Sequence, residues 1–298
     1  MFGPMMSSMR QTDPLVRGYA VTHPPGIVTM PTQPGWQQVI YALSGVVRAA
    51  TENDAWTLPP HRALCIGDDR RIELSTPRRT AIRTLYVHRS LDALAPVVRI
   101  VTVSPLAREL LLRAVETAPL DLRDERSAAL CRLLFAELAD LSTVPLHLPL
   151  PLDTRAKTLA DAIVECPSRT LEELLLDVPA ARRTCERLFR NETGMTLAGW
   201  QRRARVLAAI DLLERGATVT TAATTVGYST PSSFVVAFRS ETGDTPTAFL
   251  TPQPRSPETP NRSETPNRSE TPNRPETPKR SGTPKRPETP SRDAADAL

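Results

Sequence analysis

Ligand-type residues for metals are scarce in this 298-residue chain, which has four histidines and four cysteines. His23, His61, His88 and His147 are scattered, so no metal site and no cofactor are expected. Cys65, Cys131, Cys166 and Cys185 lie far apart and form no CxxC pair, which argues against a zinc frame or a disulfide scaffold. Long apolar runs are also missing, and none approaches the roughly 18 residues that cross a bilayer. The opening MFGPMMSSMRQTDP lacks the apolar stretch of a secretory signal, so the expected location is the cytoplasm. There is no nucleophile elbow, phosphate loop or paired-carboxylate pattern, so an enzyme is not expected.

Size and composition then set what is there. The length suits two ordinary domains, and 40% apolar content supports packed cores. A net charge of +4 permits a nucleic-acid partner without demanding one. Thirty prolines are unevenly placed, with eleven between Pro252 and Pro290. There the chain repeats a hexapeptide of the ETPNRS type from Glu258 to Asp293. A six-residue period without apolar residues cannot bury a core and is too short for a solenoid unit. Residues 252–298 therefore read as a disordered, partly polyproline-II tail. Its nine basic and seven acidic residues make it a mixed polyelectrolyte.

The first hundred residues read as β. Short apolar runs at Val39–Leu43, Val46–Thr51, Ala55–Leu58, Ala63–Ile66, Ile72–Leu74 and Ile82–Val87 are punctuated by Gly45, Pro59, Gly67 and Pro77. That spacing predicts a small barrel or sandwich. From Pro105 to Leu141 the period turns helical. Leu106, Leu110 and Arg113 carry one helix, and a stripe of Leu130, Leu134, Leu138 and Leu141 carries a second. Such a stripe serves either internal packing or a dimer seam. Pro145, Pro149 and Pro151 then read as a linker.

The informative segment is 154–250. Thr170-Leu171-Glu172-Glu173 has the form of a capping box ahead of Leu171, Leu174 and Leu175. Asp177-Val178-Pro179 breaks that helix, and a second is predicted to begin near Pro179. Ala181, Cys185, Leu188 and Phe189 give its inner face; Arg182, Arg183, Thr184, Glu186, Arg187 and Arg190 give the outer one. After Gly194, the residues Leu197, Trp200, Ala204, Leu207, Ile210 and Leu213 recur as a long helix stopped at Gly216. Trp200 reads as a core anchor, while Arg202, Arg203 and Arg205 carry the polar side. A second short pair follows, capped at Thr218 and Ser229 and turned at Gly227. Phe234, Ala237 and Phe238 face in; Thr230, Ser233, Val236 and Arg239 face out. Two helices about a tight turn, the second exposed and polar, are the outline of a DNA-reading unit.

The words ERLFRNETGMT (186–196), WQRRARVLAAIDLL (200–213) and VGYSTPSSFVVAFRSETGDTP (226–246) resemble the AraC/XylS family of transcription regulators. A weaker similarity over 37–67, with SPLAREL (104–110) and PLHLPLPLDTR (145–155), resembles the cupin-like sensor and helical connector of one branch. The resemblance implies an α+β chain. It would have a small cupin-like β-barrel for sensing or dimerisation (1–100), a helical connector and linker (101–152), an all-α domain of two helix-turn-helix units (153–251) and the tail (252–298).

The implied function is sequence-specific DNA binding, with two recognition helices in successive major grooves. Arg182, Arg183, Thr184, Arg187 and Arg190 would act in the first unit and Ser229, Thr230, Ser233, Val236 and Arg239 in the second. The family usually has a polar or basic residue where Val236 stands; here its side chain would meet a thymine methyl. Residues 182–205 hold seven Arg and two Glu, whereas 216–250 hold one Arg, one Glu and one Asp, so the grip should concentrate in the first unit. Double-stranded DNA and a second copy of the chain are the expected partners, with RNA polymerase and an unidentified small-molecule effector compatible. Two rival readings remain: an architectural protein binding DNA without sequence preference, and a cupin-type enzyme fused to a DNA-binding domain. The segments where related sensors carry histidines, near 31–38 and 68–73, here read PTQPGWQQ and DDRRIE.

Overall fold

The computed structural model describes residues 14–28, 33–67 and 71–251. The repeat tail, and parts of both segments where histidines were sought, lie outside the described residues. The N-terminal half is built from two antiparallel sheets. One runs, in spatial order, β1 (Val16–His23), β8 (Thr80–His88), β3 (Trp36–Ser44), β6 (Arg62–Ile66), β9 (Val98–Thr102) and β10 (Thr143–Val144). The other runs β11 (His147–Pro149), β5 (Asp54–Leu58), β4 (Val47–Ala50), β7 (Glu73–Thr76) and β2 (Gly26–Val28).

The expected barrel is not closed. Among the described residues no strand of one sheet pairs with a strand of the other. Three of the four edges explain this: β2, β10 and β11 are two or three residues long, so the eight-residue edge β1 has no partner edge of its length in the other sheet.

Each predicted run became a strand, with boundaries shifted by one to three residues. Strands β1, β2 and β9 escaped prediction, because VRGYAVTH buries only Val16 completely, GIV is three residues long and VRIVT has no clean alternation. The stretch read as a linker contains β10 and β11, which return the chain to both sheets.

Strand β3 is buried from Trp36 to Ala42 because both faces of its sheet are covered. Ile40, Leu58, Leu64, Leu74 and Ile82 fill the space between sheets. Val39, Tyr41, Leu85 and Val101 pack against helices α1 (Pro105–Thr117) and α2 (Glu125–Ala139). Helix α1 uses only one of its predicted leucines: Leu110 is half-buried against the core and Leu106 is not. It buries Ala107, Leu111, Ala114 and Val115 and leaves Leu106 45% exposed. The cause is close approach: a Cβ on Gly18 of β1 would stand 2.8 Å from both Val115 Cα and Ala118 Cβ. Small side chains must face the sheet there. On α2 the stripe is internal packing at Leu134 and Leu138, with Leu130 and Leu141 half-buried.

The C-terminal half is helical: α3 (Thr154–Glu165), α4 (Leu171–Leu175), α5 (Arg182–Thr193), α6 (Leu197–Glu214), α7 (Val219–Thr225), α8 (Pro231–Thr242) and α9 (Pro246–Leu250). Helices α3 and α9 were not predicted. Among the described residues no helix is long and apolar enough to cross a membrane. Trp200 lies fully buried in α6, its ring set edge-on to Phe189 at 5.3 Å. Its indole N–H donates to Pro149 O at 2.7 Å, tying the helical half to β11. A second tie is Glu192, whose carboxylate accepts from the Leu152 and Asp153 N–H groups just ahead of α3. Buried Arg62 of β6 makes a third, its guanidinium 4.7 Å from the Phe249 ring centroid on α9.

Candidate nucleic-acid interface

The first unit is α4 and α5. Its entry follows the sequence: the Thr170 hydroxyl accepts from Glu173 N–H, and the Glu173 carboxylate accepts from Thr170 N–H. The second helix does not begin near Pro179. Residues 176–180 turn on bonds from Asp177 N–H to Leu174 O and from Val178 N–H to Leu175 O, so α5 starts at Arg182, with Ala181 at the N-cap position making no side-chain cap bond. A proline fixes φ but cannot start a helix while its neighbours still close the preceding turn. Cys185, Leu188 and Phe189 are buried as predicted, Ala181 is exposed because it precedes the helix, and Gly194 ends the helix at φ +70.

The outer face of α5 is less uniform than its composition suggests. Arg182 is held twice, Nε donating to Glu186 at 2.9 Å and Nη1 to Glu172 at 2.7 Å. These carboxylates raise its pKa, the Glu186 bond contributing most. It therefore staples α4 to α5. Arg183, Arg187 and Arg190 are exposed and make no ion pair among the described residues. Their i, i+4, i+7 spacing puts three free guanidinium groups along one stripe. Thr184 is half-buried beside them.

The second unit is α7 and α8. Thr218 caps α7 as predicted. Thr230, not Ser229, caps α8: its hydroxyl accepts from Ser233 N–H at 3.2 Å, and Ser233 Oγ donates to Thr230 O at 2.8 Å. Pro231 at the first helical position explains the one-residue shift, since its fixed φ sets where the helix starts. Ser229 stays exposed ahead of the cap. Val236 is 71% exposed in mid-helix, flanked by exposed Ser233 and Arg239. Phe234 and Phe238 lie beneath, edge-on to each other and, through Phe238, to Phe249.

The arginines of α6 are engaged inside the domain. Arg202 and Arg203 donate through Nε to the two oxygens of Glu241, at 2.9 and 2.8 Å, and that carboxylate is buried. Arg205 donates to the carbonyls of Pro167 and Arg169. So four of the seven arginines between 182 and 205 hold the domain together, and three remain free. Sequence reasoning counted them alike because the partners come from α4, α8 and the loop before α4.

A helix-turn-helix domain profile matches residues 177–251, opening on the turn before α5 and running through α9. The chain is 25% identical over 215 residues to the HTH-type transcriptional regulator NimR of Escherichia coli, covering 72% of this chain and 79% of NimR. It is 35% identical over 107 residues to the HTH-type transcriptional regulator RipA of Corynebacterium glutamicum, covering 35% of this chain and 32% of RipA. The solved DNA-binding domain of AdpA, in complex with a target DNA, shares 31% identity, with 33% of this chain and 91% of that chain covered at a TM-score of 0.30. Residues 177–251 are thus a helix-turn-helix domain of the AraC type, carried by a DNA-binding transcription regulator.

As a regulator it belongs with DNA-binding proteins rather than enzymes, which sets aside the cupin-type enzyme reading. One feature of the regulator had no signal in the sequence. A cleft of about 400 Å³ opens where the sandwich meets α6. Trp56, Val98, Ile100, Val144 and His147 line it from the sheets and Arg203 from the helical half. His147 stacks on Trp56 and bonds Asp54 Oδ1 through Nε2 at 2.6 Å.

Proposed function

We propose that the regulator reads a specific two-part DNA site, with α5 and α8 entering successive major grooves about 34 Å apart on one face of the duplex. The observation that carries this reading is the unpaired stripe of Arg183, Arg187 and Arg190, exposed beside a helix that packs on its opposite face. Free guanidinium groups on a rigid helix suit phosphate oxygens and the O6/N7 edge of guanine. Arg182, bound to two carboxylates, acts here by orienting α5, and Thr184 stands at the edge of the contact.

In the second unit Ser229, Thr230 and Ser233 stand at a helix start, a favourable place for phosphate, where Thr230 and Ser233 would turn hydroxyls now donated within the cap toward the DNA. Val236 presents methyl groups to a thymine methyl, and Arg239 adds a backbone contact. Residues 1–100 and the connector (101–152), which returns two strands to the sandwich, serve sensing and dimerisation in the cupin-like manner, while 153–251 reads DNA in the cytoplasm. A second copy of the chain and RNA polymerase are the protein partners of this reading. A small-molecule effector would sit in the cleft around Trp56 and His147.

The test is selection of binding sites from a random duplex library with the full chain, followed by gel-shift titration against scrambled competitor at several salt concentrations. Enrichment of a two-part site with a preference of about 10³-fold or more supports the reading. A steep salt slope with no enriched sequence overturns it in favour of architectural binding.

A further inference from the structure

Two reading heads on one chain recognise a composite site only if something fixes the distance and rotation between them. Helix α6 connects them in sequence. A helix alone leaves each unit free to pivot about its own loop, between α5 and α6 and between α6 and α7. The contacts around Arg205, in the middle of α6, close that freedom.

Its guanidinium reaches both units at once. Nε donates to Pro167 O at 2.7 Å and Nη2 to Arg169 O at 2.8 Å, both in the loop that leads into α4 of the first unit. Nη1 points to Gly227 O at 3.4 Å, in the turn between α7 and α8 of the second. The Tyr228 ring of that turn stands 6.0 Å from the same guanidinium carbon. Gln201, one turn earlier on α6, adds a bond to Arg169 O at 3.2 Å.

The two units also touch directly. A Cβ on Gly227, whose φ is +86, would stand 2.8 Å from Ser168 Cα and 2.9 Å from Ser168 O. The turn of one unit thus rests on the backbone of the loop that opens the other. These carbonyls lie at three different places, and only a planar fork with donors in several directions can serve them together; an ammonium on a flexible stem cannot. Burial lowers the Arg205 pKa, the adverse effect expected when a charge is withdrawn from water and met by neutral carbonyls.

We infer that Arg205 is the positioning residue that locks the two helix-turn-helix units to one spacing, and so sets the spacing the regulator accepts between the two halves of its site. Arg205 does this through the loop before α4 and the turn before α8, without touching DNA. Arg202 and Arg203, on the buried Glu241 carboxylate, brace the far end of α8 against α6 and leave the turn end to Arg205. This inference rests on the two-part reading proposed above.

The experiment takes the duplex selected from the random library by the wild-type full chain, together with derivatives carrying one or two extra base pairs between the halves. Each added pair rotates one half by about 35° relative to the other. Wild type is expected to lose about tenfold or more on a two-pair insertion, because one unit then loses its base contacts. Arg205→Lys and Arg205→Gln are expected to bind the original site less tightly and to lose no more than about threefold on the same insertion. Both should bind a duplex holding one half within about twofold of wild type. Arg205→Lys keeps the charge and stem, so it decides the matter by itself if Arg205→Gln does not fold.

A lysine variant that keeps the wild-type ratio between original and expanded sites overturns the inference. A variant that weakens single-half binding as much as full-site binding overturns it as well, since Arg205 would then be supporting one unit only. If wild type selects no two-part site, the functional proposal itself fails, and that result is visible before any variant is made.

Discussion

Arg182 and Arg183 are neighbours of identical chemistry at the start of α5, and their surroundings give them opposite expected behaviour. Arg183 is exposed with no ion pair among the described residues, so its full charge is available to DNA. Arg182 already spends two donors on Glu172 and Glu186. Truncating Arg183 to alanine should cost about 1–3 kcal/mol at the selected site, a 5- to 150-fold loss at roughly constant stability. If its contact is to phosphate, the slope of log K against log salt should also fall by about 1. Truncating Arg182 removes a guanidinium that DNA would have to share with two acids and frees those acids beside the phosphates. Its affinity loss should therefore come with a changed melting temperature, and both effects should shrink at high salt because the pairs are solvent-exposed. Gel-shift titrations of the two variants at two salt concentrations, beside thermal melts, separate the cases. Equal binding losses with equal stabilities would refute the argument, as would an unchanged affinity for Arg183→Ala.

Thiol reactivity should single out one residue. Cys166 is exposed while Cys65, Cys131 and Cys185 are buried, and burial pushes the Cys65 thiol up to about 12 and Cys131 to about 11. Alkylation at neutral pH should modify one cysteine rapidly in the native chain and four after denaturation; two fast sites would contradict this packing. Burial, with Asp211 a turn earlier adding to it, raises the pKa of Glu214 against the opposing effect of Arg78. An acid whose pKa rises on folding holds its proton more tightly in the folded chain, so its contribution is present below the ordinary carboxylate value and lost as pH climbs through the raised one. Glu214→Gln should therefore melt above wild type at neutral pH and converge with it in acid, and a pH-independent gap would rule the explanation out. Trp200→Ala empties a fully buried site and orphans the Pro149 carbonyl, for an expected loss of about 3–5 kcal/mol in chemical denaturation. A loss under about 1 kcal/mol would mean that the tryptophan is not the anchor described.

Much of the reading head was legible because its signals are local. The Thr170 capping box, the Gly194 stop and the buried phenylalanines of α8 each depend on residues within a turn or two, where helical spacing fixes who meets whom. The start of α8 was missed by one residue because Ser229 and Thr230 are equally good caps by type, and Pro231 chose between them. The exposed face of α5 was likewise set by its period, so the sequence determined which side of the helix turns outward.

It did not determine which arginines on that domain are free. Glu172 lies ten residues from Arg182 and Glu241 nearly forty from Arg202 and Arg203, and only folding brings them within 3 Å. The same holds for the open sandwich, where edge strands of two or three residues left the sheets unjoined, and for α1, where close approach to Gly18 turned the face of Ala107, Leu111 and Ala114 inward and left Leu106 outside. Local periodicity decides what an element is and which way it faces. Which charge is spent and which remains for a partner is decided by whatever the tertiary structure places opposite it.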